Sequence, residues 1–338
     1  MKQLAFGVDI GGINSAFGLV DNRGHIYAES VVPTSAYPHF GHYAEYVERL
    51  AAEMKQMLDG LDFEYELMGI GIGAPNATYH KGRIEQPANL WKFPDAESGD
   101  ESQRIFELVA DLRSYFPDCQ HIYITNDANA ATIGEMMFGA ARGMRDFVVV
   151  TLGTGLGSGF VAGGQMIYGH DGFAGELGHV VVERGGRECG CGRKGCLECY
   201  VSATGMRRTA FDLMSSMRVD SPLRSVPYNS IDSLQIARAA QGGDPLALEA
   251  FRVTGEMLGR ALADVVVLTS PEAIILFGGM AKAGRLIFEP TQRYMEENMM
   301  PNFRGKVKLL PSGVSDGNIA IMGAAALVWQ SLDSSKSR

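Results

Sequence analysis

No run of Lys and Arg of the kind that neutralises a phosphate backbone occurs in the 338 residues, and the formal net charge is −9. Nucleic acid is thereby disfavoured as the main partner, because binding it needs clustered cations. No apolar stretch approaches the length of a membrane span. The first apolar run, within MKQLAFGVDIGG, is too short for a secretory signal and has no small-residue cleavage site. No glycine run ends in Lys followed by Ser or Thr, so a P-loop is excluded. A dinucleotide fingerprint is missing too: glycines follow the first strand, but that motif needs a helix next, and here a second strand follows.

Cysteine is scarce and unevenly placed, with four of the five lying between 189 and 199. They sit in or beside the stretch 176–198, ELGHVVVERGGRECGCGRKGCLE. His179, Cys189, Cys191 and Cys196 supply one imidazole and three thiols, the ligand set of a closed tetrahedral zinc site. Gly190, Gly192 and Gly195 separate the thiols and let the backbone wrap tightly around one ion. Disulfides or reactive thiols are the alternative, but clustered Cys and His without an export signal favour metal. Such usage, with no targeting segment, points to the cytoplasm. Cys199 is left over as packing filler. Glu176 and Glu198 ride on the same loop, so the ion would act as a scaffold for two carboxylates. The second nitrogen of His179 would be able to donate to a bound polar ligand.

At this length the chain accommodates two domains. Residues 4–10 (LAFGVDI), the turn GGINS and AFGLVDNRG read as strand, glycine turn and strand. The pattern recurs at 147–161 (FVVVTLGTGLGSGFV), with Gly11 against Gly153 and Asp9 against Thr151. Two such hairpins indicate a duplication, and the N–H groups of glycine turns can cradle phosphate. Apolar periodicity predicts helices over 42–59, 101–116, 199–217, 231–241, 244–268 and 285–299, with 218–230 a surface connection. Strands are expected at 121–125, at 273–280 and in KVKLLPS, and GNIAIMGAAALVWQ forms the last helix. Asn126 and Asp127 fall at a strand's end and a helix's start, where an Asp is either an N-cap or a ligand-facing acid. The loop GAPNATYHKGRIEQPANLW carries Asn76 and Asn89, either turn residues or hydrogen-bonding groups.

DIGG at 9–12, NDANA at 126–130, GTGLGSG at 153–159 and GELGH followed by CGCGRKGCLE together resemble the ROK family of sugar kinases, over nearly the whole chain. The resemblance implies an α/β chain of the actin-like ATPase (ribonuclease H-like) duplicated fold, two domains with a cleft between them. The domains would span 1–124 and 125–317, with a final helix over 318–332 packing back on the first. It also implies that Asp127 is the general base, and that Asn126, Glu176, His179 and Glu198 bind sugar hydroxyls, with Asn76 and Asn89 as further contacts. Gly11, Gly12, Gly153, Thr154 and Gly155 would hold ATP phosphates, Asp9 would sit near Mg2+, and Gly278 and Gly279 would face adenosine. Ile13 departs from the family, which commonly has Thr there. The activity implied is ATP-dependent phosphorylation of glucose to glucose 6-phosphate by a homodimer carrying structural Zn2+. N-acetylmannosamine, N-acetylglucosamine or fructose are the competing hexoses, and Tyr79, His80 and Trp91 are candidates for the pocket wall. A sugar-responsive repressor is the competitor from another class; it would need a helix-turn-helix ahead of the first hairpin, where the first strand starts at Leu4.

Overall fold

Alternating apolar residues in the first strand have two different helices to meet, and this sets the layering of the N-terminal half. The computed structural model describes residues 1–87, 90–93, 104–314 and 319–336, without the side chains of 333–336. In chain order the first elements are β1 (Lys2–Ile10), β2 (Ser15–Val20), β3 (Ile26–Val32), α1 (Tyr43–Asp59), β4 (Tyr65–Gly73), β5 (Ala77–Thr78), β6 (Arg83–Glu85) and β7 (Ile105–Phe106). Then come α2 (Leu108–Tyr115), β8 (Ile122–Thr125), α3 (Asp127–Phe138), β9 (Phe147–Leu152), β10 (Leu156–Ala162), β11 (Gln165–Met166) and α4 (Ala203–Ser216). The last are α5 (Ser233–Gln241), α6 (Pro245–Thr269), β12 (Ala273–Phe277), α7 (Arg285–Asn298), β13 (Lys308–Pro311) and α8 (Ile319–Lys336).

The chain divides into two units. Unit 1 comprises Met1–Arg142, Met166–Ala174 and Gly313–Arg338; unit 2 comprises Gly143–Gln165 and Gly175–Ser312. The division thus falls after Arg142, whereas the sequence reading starts a second domain at 125. The reason is α3, which packs on α8: the Cα of Gly323 lies 3.0 Å from where a Cβ on Gly134 would stand. No side chain fits at that crossing.

The unit 1 sheet has the order β3-β2-β1-β4-β8, antiparallel through β3-β2-β1 and parallel from β1 to β8. Leu4, Phe6, Val8 and Ile10 join a core with Tyr46, Leu50 and Met54 of α1 and Leu108 and Leu112 of α2. Ala5 packs on the other side with Ile321, Ala325 and Val328 of α8. Gly7 and Gly71 lie directly under the α8 backbone, so a methyl group at either position would collide with it. The helix expected over 101–116 is shorter, with strand β7 before it; residues 101–103 lie outside the described residues.

The unit 2 sheet repeats the same plan, in the order β11-β10-β9-β12-β13. Val148, Val150 and Leu152 of β9 and Ile274 and Leu276 of β12 share a core with α4, α5 and α6. The starts of α4, α5 and α6 are each capped by the side chain just ahead of them. Ser202 accepts from Gly205 N, Asp232 from Gln235 N in a capping box, and Asp244 from Ala247 N. Among the described residues no helix is long and apolar enough to cross a membrane.

Candidate functional site

Parallel register brings three strand ends of unit 1 level. Asp9 pairs with Gly73 across β1 and β4, and Gly73 with Thr125 across β4 and β8. Helix α3 begins two residues after Thr125, at Asp127. A Cβ on Gly73 would stand 3.9 Å from Asp9 Oδ1 and 3.6 Å from the Cα of Asp127. Glycine there leaves room for the two acids to face one small space. Burial and then the nearby Asp127 push the Asp9 carboxyl up to about 6. Asp127 is raised as well, because protein atoms crowd it, although N–H groups of Ala128 and of Asp127 itself work against the shift. Its residue nevertheless keeps exposed surface.

The two sequence readings of Asp127 separate at this point. Asn126 is the N-cap of α3, its Oδ1 accepting from Ala128 N at 2.9 Å. Asp127 shares that N–H through Oδ1 at 2.8 Å. Capping therefore occupies Asn126 Oδ1 and leaves its amide N–H groups, and Asp127 Oδ2, available to a ligand.

The glycine turns differ in length. Ile10 pairs with Ser15, so Gly11 to Asn14 form the first connection, closed by Gly11 N donating to Asn14 O at 3.0 Å. Gly12 and Ile13 are exposed, Ile13 at 72%. In unit 2, Leu152 pairs with Leu156, leaving Gly153 to Gly155, closed by Gly153 N to Gly155 O at 3.0 Å. The start of α4 holds this second turn: Ala203 N donates to Gly153 O and Thr204 Oγ1 to Thr154 O. Gly278 and Gly279 follow β12, and Met280 N reaches Leu152 O at 3.2 Å, so these glycines lie beside the same turn. Gly278 has φ +103 with Leu152 backbone against it, a position only glycine fills.

In unit 2 the four expected metal ligands converge, their ligating atoms all within 4.8 Å of one another. Cys191 Sγ and Cys196 Sγ are 3.6 Å apart, and Cys189 Sγ is 3.7 Å from His179 Nδ1. A tetrahedral ion with Zn–S of about 2.3 Å sets its sulfurs about 3.8 Å apart, so the cluster fits. The loop's scaffold is Arg187, which no sequence motif singled out. Its guanidinium donates to Cys199 O, Gly205 O and Thr209 Oγ1 and pairs with Asp212. Cys199 packs against Cys189 and Cys196, as filler would. Glu176 is exposed immediately ahead of the 3-10 turn Leu177–His179. Glu198 accepts from Leu156 N at 2.9 Å, which ties the cysteine loop to the second glycine turn.

In the loop after β4, Asn76 is exposed with φ +55, and its Nδ2 donates to Gln86 O at 3.0 Å. Asn89 lies outside the described residues. Trp91 does not form a pocket wall: it is fully buried, packed on Tyr43, Tyr46 and Phe106. Tyr79 stacks on Tyr168, and His80 meets the carbonyl of Gly169. Besides Arg187, the sequence reading missed Gly73, whose only signal is its place at a strand's carboxyl end.

Two sheets of one strand order, each with a glycine-turned hairpin, define the actin-like ATPase fold of sugar kinases. A profile described as the ROK family matches residues 5–331, and the chain belongs to that family. It is 32% identical over 330 residues to the glucokinase of Thermotoga maritima, covering 97% of this chain and 98% of that one. The ROK glucokinase of Streptomyces griseus, solved with glucose and AMPPNP, is 30% identical with a TM-score of 0.77, covering 97% and 99%. A ROK transcriptional regulator, homolog of E. coli MLC protein, shares the fold at 23% identity and a TM-score of 0.84, covering 98% of this chain and 79% of its own.

Proposed function

We propose that the protein is an ATP-dependent glucokinase that transfers the γ-phosphoryl group of ATP to the 6-hydroxyl of glucose. The observation that carries this reading is Asp127, a residue that keeps exposed surface and has one carboxylate oxygen not used in capping, at the strand ends beside Asp9 in a ROK-family chain. A sugar hydroxyl is a weak nucleophile. Asp127 takes its proton as it attacks, and its raised pKa brings it nearer the pH at which it must accept that proton. Asn126, Glu176, His179 and Glu198, with Asn76 and Asn89, orient the sugar by hydrogen bonds to its other hydroxyls. The turns of Gly11 and Gly12 and of Gly153, Thr154 and Gly155 receive the phosphates, the N–H groups of Gly11 and Gly153 closing the turns, and Gly278 and Gly279 leave a flat approach for adenosine.

Asp9 would hold Mg2+, directly or through water, and the cation would neutralise charge on the phosphates. His179, Cys189, Cys191 and Cys196 would hold Zn2+, which would fix the loop bearing Glu176 and Glu198. His179 Nδ1 lies on the thiol side, which leaves Nε2 to donate to the sugar. The family resemblance also supports a cytoplasmic homodimer.

The test is ADP release by purified protein with ATP and Mg2+ against glucose, mannose, fructose, N-acetylglucosamine and N-acetylmannosamine. Glucose should give the highest kcat/KM. Preference for an N-acetylated sugar would move the substrate, and no sugar-dependent release would overturn the kinase reading.

A further inference from the structure

The stretch that carries the thiols is a hairpin whose tip has nothing beneath it. Val181 pairs with Cys196 and Glu188 with Lys194, both antiparallel, and beyond them Cys189 N donates to Arg193 O at 2.9 Å and Gly192 N to Cys189 O at 3.0 Å. Gly190, Cys191 and Gly192 are exposed, and a methyl group added at Gly190 or Gly192 would meet no other atom within 4 Å. Apolar packing therefore does not hold the tip in place. Its position has to come from its root.

That root is Arg187, two residues ahead of Cys189. Its main-chain N–H donates to Tyr200 Oη at 3.0 Å, and its carbonyl accepts from Gly195 N on the opposite arm at 2.8 Å. A methyl group on Gly186 would collide with the Tyr200 hydroxyl, so glycine is needed for that bond to form. The guanidinium lies 4.6 Å from the centre of the Tyr200 ring. Its Nη1 donates to Cys199 O at 2.9 Å, Gly205 O at 3.1 Å and Thr209 Oγ1 at 3.0 Å, and its Nη2 to Asp212 Oδ2 at 2.6 Å. The side chain is 16% exposed. None of these bonds uses an atom of the metal-ligand set, so none of them waits for an ion.

We infer that Arg187 is a positioning residue for the metal: it fixes the thiol-bearing tip against α4 ahead of binding and so sets how tightly Zn2+ is held. This rests on the zinc reading proposed above. An ion that has to order its own ligands loses binding free energy to the lost freedom of the loop, whereas an ion entering a loop already held does not. A planar guanidinium with five N–H groups can satisfy two carbonyls, a hydroxyl and a carboxylate together, which an ammonium cannot. A merely structural arginine would lower the stability of the fold and leave the metal affinity of the folded protein unchanged.

The test uses full-length wild type, Arg187→Met and Arg187→Lys, stripped of metal under reducing conditions and titrated with Zn2+ against a chelator of known affinity. Amide hydrogen exchange over residues 186–196 is followed in the metal-free and zinc-loaded proteins. Arg187→Met should weaken Zn2+ binding roughly tenfold to a hundredfold, and Arg187→Lys should recover part of the loss. In metal-free wild type the amides of Cys189, Gly192 and Gly195 should already exchange slowly, and in Arg187→Met they should do so only after Zn2+ is added. Zinc affinity of Arg187→Met within about threefold of wild type, or the same exchange in the two metal-free proteins, overturns the inference. If Arg187→Met does not fold, Thr209→Val removes one of the acceptors; it should weaken Zn2+ binding about threefold, and an unchanged affinity overturns the inference. If wild type takes up no zinc, the zinc reading fails and the inference falls with it. If wild type takes up one equivalent and the variants hold it equally well, the inference alone fails.

Discussion

The two glycine-turned hairpins occupy the same slot in sheets of the same strand order, and they are chemically opposite. The first places Asp9, a carboxyl pushed up to about 6, where the second places Thr151, whose Oγ1 accepts from Gly157 N at 3.1 Å. The first connection has four residues with an exposed Ile13; the second has three with an exposed Thr154. Unit 1 also carries Asp127, and unit 2 carries the cysteine loop tied to its turn by Glu198. A duplicated backbone has therefore been divided by task. One copy holds titratable charge at its strand ends, and the other offers neutral N–H groups braced by a metal-fitting knot.

The largest effect that would test this division comes from Asp127→Asn. It should lower kcat by roughly 10²–10⁴ while glucose KM stays within a few-fold, measured by coupled ADP release. In wild type the acid limb of the kcat profile should lie above the ordinary carboxylate range, because the raised Asp127 must be deprotonated to act. A kcat within tenfold of wild type would remove proton transfer from unit 1.

Asp9→Asn comes next, and its sign follows from linkage. The folded-state value is about 6 against 3.8 unfolded, so ionised Asp9 destabilises the fold, fully so above pH 6. Without nucleotide or Mg2+, the substitution should stabilise the protein by roughly 2–3 kcal/mol at pH 7.5, at 1.36 kcal/mol per pKa unit. The gain should shrink as pH falls from 6 to 4 and vanish below, as urea melts at several pH values will report.

The smallest effect belongs to unit 2. Cys191→Ser should take bound zinc from about one equivalent per chain to a small fraction and raise glucose KM roughly tenfold, leaving the KM for ATP nearly unchanged. Metal analysis of reduced protein together with the same assay checks both halves. Zinc absent from wild type would leave the cysteine loop without its brace.

What the sequence disclosed follows the range of the interaction. The convergence of His179 with the three cysteines was legible because the cysteines fall within eight residues, and the hairpins because a turn and its strands are contiguous. The start of α3 was legible as well, yet it took coordinates to separate Asn126 as cap from Asp127. The approach of Asp9 to Asp127 depends on parallel register across β1, β4 and β8, which no local pattern encodes. Arg187 was invisible for a like reason, since its side-chain partners stand 12 to 25 residues further on and two of them are backbone carbonyls with no side-chain signature. Trp91 looked like a pocket residue because it sits in a polar loop, but its ring turns into the aromatic core.

The seating of α8 on Gly7 and Gly71 also governs the order in which the chain can mature during translation. Ala5 and Val20 are covered by residues made some three hundred positions later. While it is being synthesised, unit 1 must wait with one sheet face bare. Unit 2, all of it encoded between 143 and 312, has its strands and helices out earlier. The second half of this molecule is thus in a position to fold before the first, and a ribosome that stalls before residue 319 leaves a sticky N-terminal sheet for chaperones to shelter.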